Sequence, residues 1–135
     1  MATKEIRANK FVVEDGKGKT RAMLQMGKEG PSLGLADENG TLRASIGVGK
    51  HGPTLMLSDE NGQPRVGMAI FKEGPGLGLY DKKGKLRARL DVTEDGLGMA
   101  LCDENGKTRA WMAIFKDGPR LVLFDENDKV IWSAP

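Results

Sequence analysis

The stretch Gly30-Pro31-Ser32-Leu33-Gly34-Leu35-Ala36-Asp37-Glu38-Asn39-Gly40-Thr41-Leu42-Arg43-Ala44-Ser45-Ile46-Gly47-Val48-Gly49-Lys50-His51 decides the fold. Leu33 and Leu35 alternate with small residues before Asn39-Gly40, and Ala44, Ile46 and Val48 alternate with Arg43, Ser45 and Gly47 after it. That is the period of a strand. The apolar set is odd-numbered before the turn and even-numbered after it, so one shared face requires a loop of even length. A two-residue type I′ loop at Asn39-Gly40 satisfies this, since both central residues need positive φ. It pairs Leu35 with Ala44 and Leu33 with Ile46. A three-residue bulged loop would instead set Leu35 opposite Arg43 and split the face.

The unit is one of six copies of 22 residues that fill nearly the whole chain. Its second turn recurs at Glu29-Gly30, His51-Gly52, Glu73-Gly74, Asp95-Gly96 and Asp117-Gly118. Taken as a two-residue loop, His51-Gly52 pairs Val48 with Leu55, and later units pair Ile70 with Leu77, Val92 with Met99, and Ile114 with Leu121. The reading is therefore all-β: an antiparallel meander of about twelve short strands in six hairpins. Helices are not expected, because glycine recurs too often and no 3.6-residue stripe survives.

Val130-Ile131-Trp132 can pair with Phe11-Val12-Val13 and close a shallow, pseudo-sixfold barrel, which would remove the open edges. Alternatives are a flattened sandwich, an intertwined trimeric β fibre in which chains share one core, and a β-solenoid. The solenoid stacks Asp37, Asp59, Asp81, Asp103 and Asp125 in a like-charge column, and the repeated arginines in another, which electrostatics opposes. The domain is expected over 10–135, with residues 1–9 as an N-terminal extension.

Composition bounds the function. The chain has 135 residues, with 21 basic against 19 acidic side chains and 5% aromatics, so it lacks the basic surplus and stacking platforms of a nucleic-acid binder. Cys102 is the lone cysteine, so no intrachain disulfide forms and the compartment stays open. No apolar run reaches the ~20 residues of a membrane helix. Residues 1–5 show no signal peptide, so membrane association is expected only through a segment outside this chain.

Repeats reading Gly-Pro-x-Leu-x-Leu-x-Asp-Glu-Asn-Gly-x-x-Arg-Ala, as in Gly30-Pro31, Asp37-Glu38-Asn39-Gly40 and Arg43-Ala44, resemble those of a bacterial hairpin-repeat group without assigned activity, associated with the β-flower fold. The resemblance covers 10–135. It implies a shallow symmetrical barrel of radiating hairpins and a bacterial, membrane-tethered context, and it brings no catalytic residue.

No catalytic constellation stands out, and no cofactor is expected. His51 is the single histidine and sits in a turn slot. Cys102 takes the position of Ala36, Ser58, Tyr80 and Phe124, read as an outward slot beside Arg109. The outer-face arginines, Arg21, Arg43, Arg65, Arg87 and Arg109, are read as a solvated face by default, with contact to neighbouring hairpins or to a partner surface as the alternative. The carboxylates Asp37, Asp59, Asp81 and Asp103 are weak candidates for a hard cation; hydrogen bonding to the local turn backbone is the simpler role. A lumen lined by Leu33, Leu35, Ile46, Leu55, Leu57, Met68, Leu77, Leu79, Leu90, Met99, Leu101 and Met112 would suit an apolar, lipid-like ligand. Lys28, Lys50, Lys72 and Lys116 at its rim would face an anionic headgroup; as turn lysines they are otherwise simply solvated. The expected function is a non-enzymatic binding or scaffold module, with a self-assembling fibre or stalk protein as the alternative.

Overall fold

The computed structural model describes residues 4–135; residues 1–3, part of the expected extension, lie outside the described residues. It forms one antiparallel sheet in the order β1 to β12, with each strand hydrogen-bonded to its sequence neighbours. The strands are β1 (Lys10–Glu14), β2 (Thr20–Met26), β3 (Pro31–Ala36), β4 (Leu42–Gly49), β5 (Gly52–Ser58), β6 (Pro64–Phe71), β7 (Gly74–Tyr80), β8 (Leu86–Thr93), β9 (Gly96–Cys102), β10 (Thr108–Phe115), β11 (Gly118–Phe124) and β12 (Val130–Ala134). No helix occurs among the described residues. β1 pairs with β2 alone and β12 with β11 alone, so the sheet has two open edges. The pairing of 130–132 with 11–13 is not made.

The expected partners Leu35↔Ala44 and Leu33↔Ile46 are present, but a different turn produces them. Gly40 N–H donates to Asp37 O at 3.0 Å, and Asp37 N–H donates to Thr41 O at 3.0 Å. The loop is thus Glu38-Asn39-Gly40, a type I turn closed by Gly40 at φ 86°, with Asn39 at ordinary negative φ. Taken alone, that three-residue loop would split the apolar face. A one-residue bulge corrects it: Ala36 faces Leu42 and Leu35 faces Ala44, leaving Arg43 without a partner. The same compensation recurs at Arg21, Arg65, Arg87 and Arg109. In the last hairpin Ile131 takes the place of the arginine, and Asp128 adopts φ 62° where the other turns have glycine.

The second turn also differs from expectation, by two residues. Gly49 pairs with Gly52 and Val48 with Pro53, so the two-residue loop is Lys50-His51 and Leu55 faces Ile46. Likewise Met68 faces Leu77, Leu90 faces Met99, and Met112 faces Leu121. A slip of two preserves the face, which is why parity alone could not detect it. The glycine after the loop is there for close approach: a Cβ on Gly74, at φ 137°, would lie 1.9 Å from Val92 O.

The two faces differ sharply. One carries a continuous ladder from Phe11 through Leu24, Leu33, Ile46, Leu55, Met68, Leu77, Leu90, Met99, Met112 and Leu121 to Ala134. The other is built from glycine, alanine, serine and threonine with scattered large residues. There Ala100 and Ala113 are 1% and 2% exposed. The Tyr80 ring lies over Gly78, where an added Cβ would come within 2.9 Å of its hydroxyl.

Candidate functional site

Every sequence-derived lumen residue falls on the ladder face. Leu33, Ile46, Leu55, Met68, Leu77, Leu90, Met99 and Met112 belong to the ladder described above. Leu35, Leu57, Leu79 and Leu101 belong to a second row, in which they alternate with Ala44, Val66, Ala88 and Ala110. Neither row contains a charged residue. The rows are also uncovered: Leu101 is 48% exposed and Met68 49%. Leu55 and Leu77 are half-buried. Apolar side chains at this density normally mark a surface that meets another apolar body.

Two apolar grooves, of about 260 and 520 Å³, are lined mainly from the opposite face. The first is floored by Gly67, Gly76 and Gly78 and walled by Met56, Phe71 and Tyr80. Arg89 and Asp91 stand at its side, paired at 3.1 Å. Sequence parity did not single out these positions, because the chain carries small residues at most equivalents of them.

The lysines Lys28, Lys50, Lys72 and Lys116 are exposed and each opens a two-residue loop. All of these loops lie along one rim. Beside the four lysines stand the five carboxylates Glu29, Glu73, Glu94, Asp95 and Asp117. The rim is therefore mixed in charge and offers little selective pull on an anion. His51 is an exposed member of the same set of loops.

The aspartates occupy the other rim, each bound into its own turn. Asp37 Oδ1 accepts the N–H groups of Asn39 at 2.9 Å and Thr41 at 3.0 Å. Asp15, Asp59, Asp81, Asp103 and Asp125 repeat this pattern. Oδ2 faces the bulge arginine six residues on, at 3.6 Å for Asp15–Arg21, 3.2 Å for Asp37–Arg43, 3.4 Å for Asp59–Arg65 and 3.7 Å for Asp81–Arg87, with Asp103–Arg109 the closest pair. The Nε of Arg21, Arg43, Arg65 and Arg87 in turn donates to a carbonyl of the next hairpin, and Arg109 reaches Asp125 O through Nη1 instead. Arg43 reaches Ser58 O at 3.0 Å and Arg65 reaches Tyr80 O at 2.9 Å. These carbonyls lie just past the last rung between the two strands, so the side chain caps the end of each ladder.

The electrostatics follow from this wiring. For Asp37, Asp59 and Asp103, partial desolvation pushes the carboxyl upward, but turn N–H groups and the arginine outweigh it and hold it below the usual range. For Asp15 the N–H of Lys17 is the largest influence, and for Asp81 that of Lys85; both carboxyls are also lowered. No group of three potential metal ligands converges among the described residues. The carboxylates are already engaged by hydrogen bonds that a cation would have to displace.

Cys102 shares the face opposite the ladder with Ala100. It is buried at 8% exposure, with Sγ 4.0 Å from Thr108 Oγ1, and its carbonyl receives Arg87 Nε. Among the described residues no helix is long and apolar enough to cross a membrane. No protein-family model matches the chain, and no curated protein matches it.

Proposed function

We propose that this domain is a non-enzymatic scaffold module that works by association through its apolar sheet face. One observation carries the reading: two neighbouring rows of apolar residues run across all the strands, without a charge among them, and remain exposed. Sheets bury at least one face in stable folds, so a partner surface completes this one. The titratable groups of the repeats support the same reading. The recurring aspartates and arginines are spent on turns and ladder ends.

A second reading, that an apolar lipid-like molecule covers the same face, draws support from Met68, Met99 and Met112 in the central ladder. Thioether side chains adapt to irregular occupants. The mixed-charge rim weighs against an anionic headgroup as the determinant.

Sedimentation velocity across a wide concentration range, paired with co-sedimentation on phosphatidylcholine vesicles, tests the proposal. The double variant Ile46→Lys/Met99→Lys is expected to abolish association while far-ultraviolet circular dichroism keeps its β signature. A wild-type chain that stays monomeric at every concentration and ignores the vesicles overturns the role of the face.

A further inference from the structure

Resting on that reading, we infer that the occupant of the apolar face is a second copy of this chain. The copy is seated face to face about a two-fold axis that runs parallel to the strands between β6 and β7.

The amount of uncovered surface calls for a partner of this size. The chain exposes 10,232 Å², whereas a compact monomer of its 14.6 kDa mass would expose about 6,900 Å². The excess is roughly 3,300 Å². A standard docking contact removes only about 800 Å² from each partner, whereas obligate homodimer interfaces remove about 1,000–2,500 Å² per chain. An interface at the upper end of the obligate class takes up most of the excess. Such interfaces are apolar, and these rows bury no charge that would then need a partner.

The second row supplies the register. Its large residues, Leu35, Leu57, Leu79, Leu101 and Leu123, stand on odd-numbered strands. Its smaller residues, Ala22, Ala44, Val66, Ala88 and Ala110, stand on the even-numbered strands between them. This row is thus a series of leucines separated by shallow gaps. A two-fold axis between β6 and β7 lays β1 over β12, β3 over β10 and β5 over β8. Because the strand number is even, this full overlap always sets an odd strand over an even one. Leu35 then meets Ala110 of the copy, Leu57 meets Ala88 and Leu101 meets Ala44, so large residues meet small ones along the second row, while in the central ladder Leu33 meets Met112 and Ile46 meets Met99. At the margin, the bulky Trp132 of β12 meets Val13 of β1. An isologous contact of this kind is self-limiting: it uses each face once and forms no fibre.

A size swap tests the seating. Leu57 and Ala88 are not neighbours within one chain, since Leu57 flanks Ala44 and Val66 while Ala88 flanks Leu79 and Leu101. Sedimentation velocity and native mass spectrometry of the wild type are expected to show a dimer of about 29 kDa, twice 14.6 kDa. Ala88→Leu should weaken the dimer roughly tenfold by overfilling the groove. Adding Leu57→Ala in the same chain should restore it. Circular dichroism of each variant confirms that the strands persist. Rescue supports the two-fold seating. A dimer whose double variant is no tighter than Ala88→Leu overturns the seating. A trimer or larger ring overturns it too, while association as the function stands. A monomer carrying an extractable lipid overturns the second copy and leaves the second reading of the face. A bare monomer at all concentrations that also ignores vesicles overturns both the copy and the proposed function.

Discussion

Asp37 and Arg43 divide one carboxylate between two tasks. Oδ1 closes the turn through Asn39 and Thr41, and Oδ2 holds the arginine at 3.2 Å while its Nε caps Ser58 O. A single acid therefore shapes its own hairpin and orients the group that stitches the next one. Asp37→Asn keeps an oxygen for the turn and loses the charge; Asp37→Ala loses both. Thermal midpoints should fall in the order wild type, Asn variant, Ala variant, by differential scanning calorimetry. Equal midpoints for the two variants would show that turn capping adds nothing.

The lowered carboxyls of Asp15, Asp37, Asp59, Asp81 and Asp103 set the acid limit of the fold. Each has a folded value below its ordinary 3.8, so its contribution is full well above that value. It is lost as pH falls through the ordinary value toward the folded one. Urea midpoints should be level with respect to these groups from pH 7 to about pH 5 and fall steeply below about pH 4. Stability that rises on acidification through this window would contradict the wiring.

Gly74 and Gly16 give a matched pair. Alanine at Gly74 forces a Cβ to 1.9 Å from Val92 O at φ 137°, whereas alanine at Gly16 meets nothing within 4 Å and has no positive φ. Gly74→Ala should cost about 2–4 kcal/mol from strain and a displaced strand end. Gly16→Ala should lie within about 0.5 kcal/mol of the wild type. Chemical denaturation of both checks the contrast.

Arg65 pairs with Asp59 through Nη1 and with Tyr80 O through Nε. Lysine has one nitrogen for two acceptors, so Arg65→Lys should destabilise nearly as much as Arg65→Ala, by about 1 kcal/mol. A lysine variant indistinguishable from the wild type would mean that charge alone suffices there.

Much of this architecture is written in alternation and turn residues. The meander, the number of strands and the shared face of Leu33, Leu35, Ala44 and Ile46 all follow from side-chain parity. Parity is blind to two kinds of change. A slip of two residues leaves it intact, so Lys50-His51 could not be told from His51-Gly52. Two irregularities that cancel also leave it intact, as the odd loop at Glu38-Asn39-Gly40 and the bulge at Arg43 do. The candidate face was legible for the same reason. Its exposure was not, because alternation tells which side a residue takes and nothing about what lies above it. The groove beside Arg89 and Asp91 was missed because glycines on two neighbouring strands, β6 and β7, make its floor.

The unbroken order from β1 to β12 has a kinetic consequence. Every strand pair is joined by a loop of a few residues, so no long segment of chain must close before a contact forms. Large β-sheets usually fold slowly because their pairings are remote in sequence. Here the contact order is that of consecutive hairpins, and the sheet can zip outward from whichever hairpin forms first. The sheet can also lose an end strand, β1 or β12, by fraying without dissolving the middle.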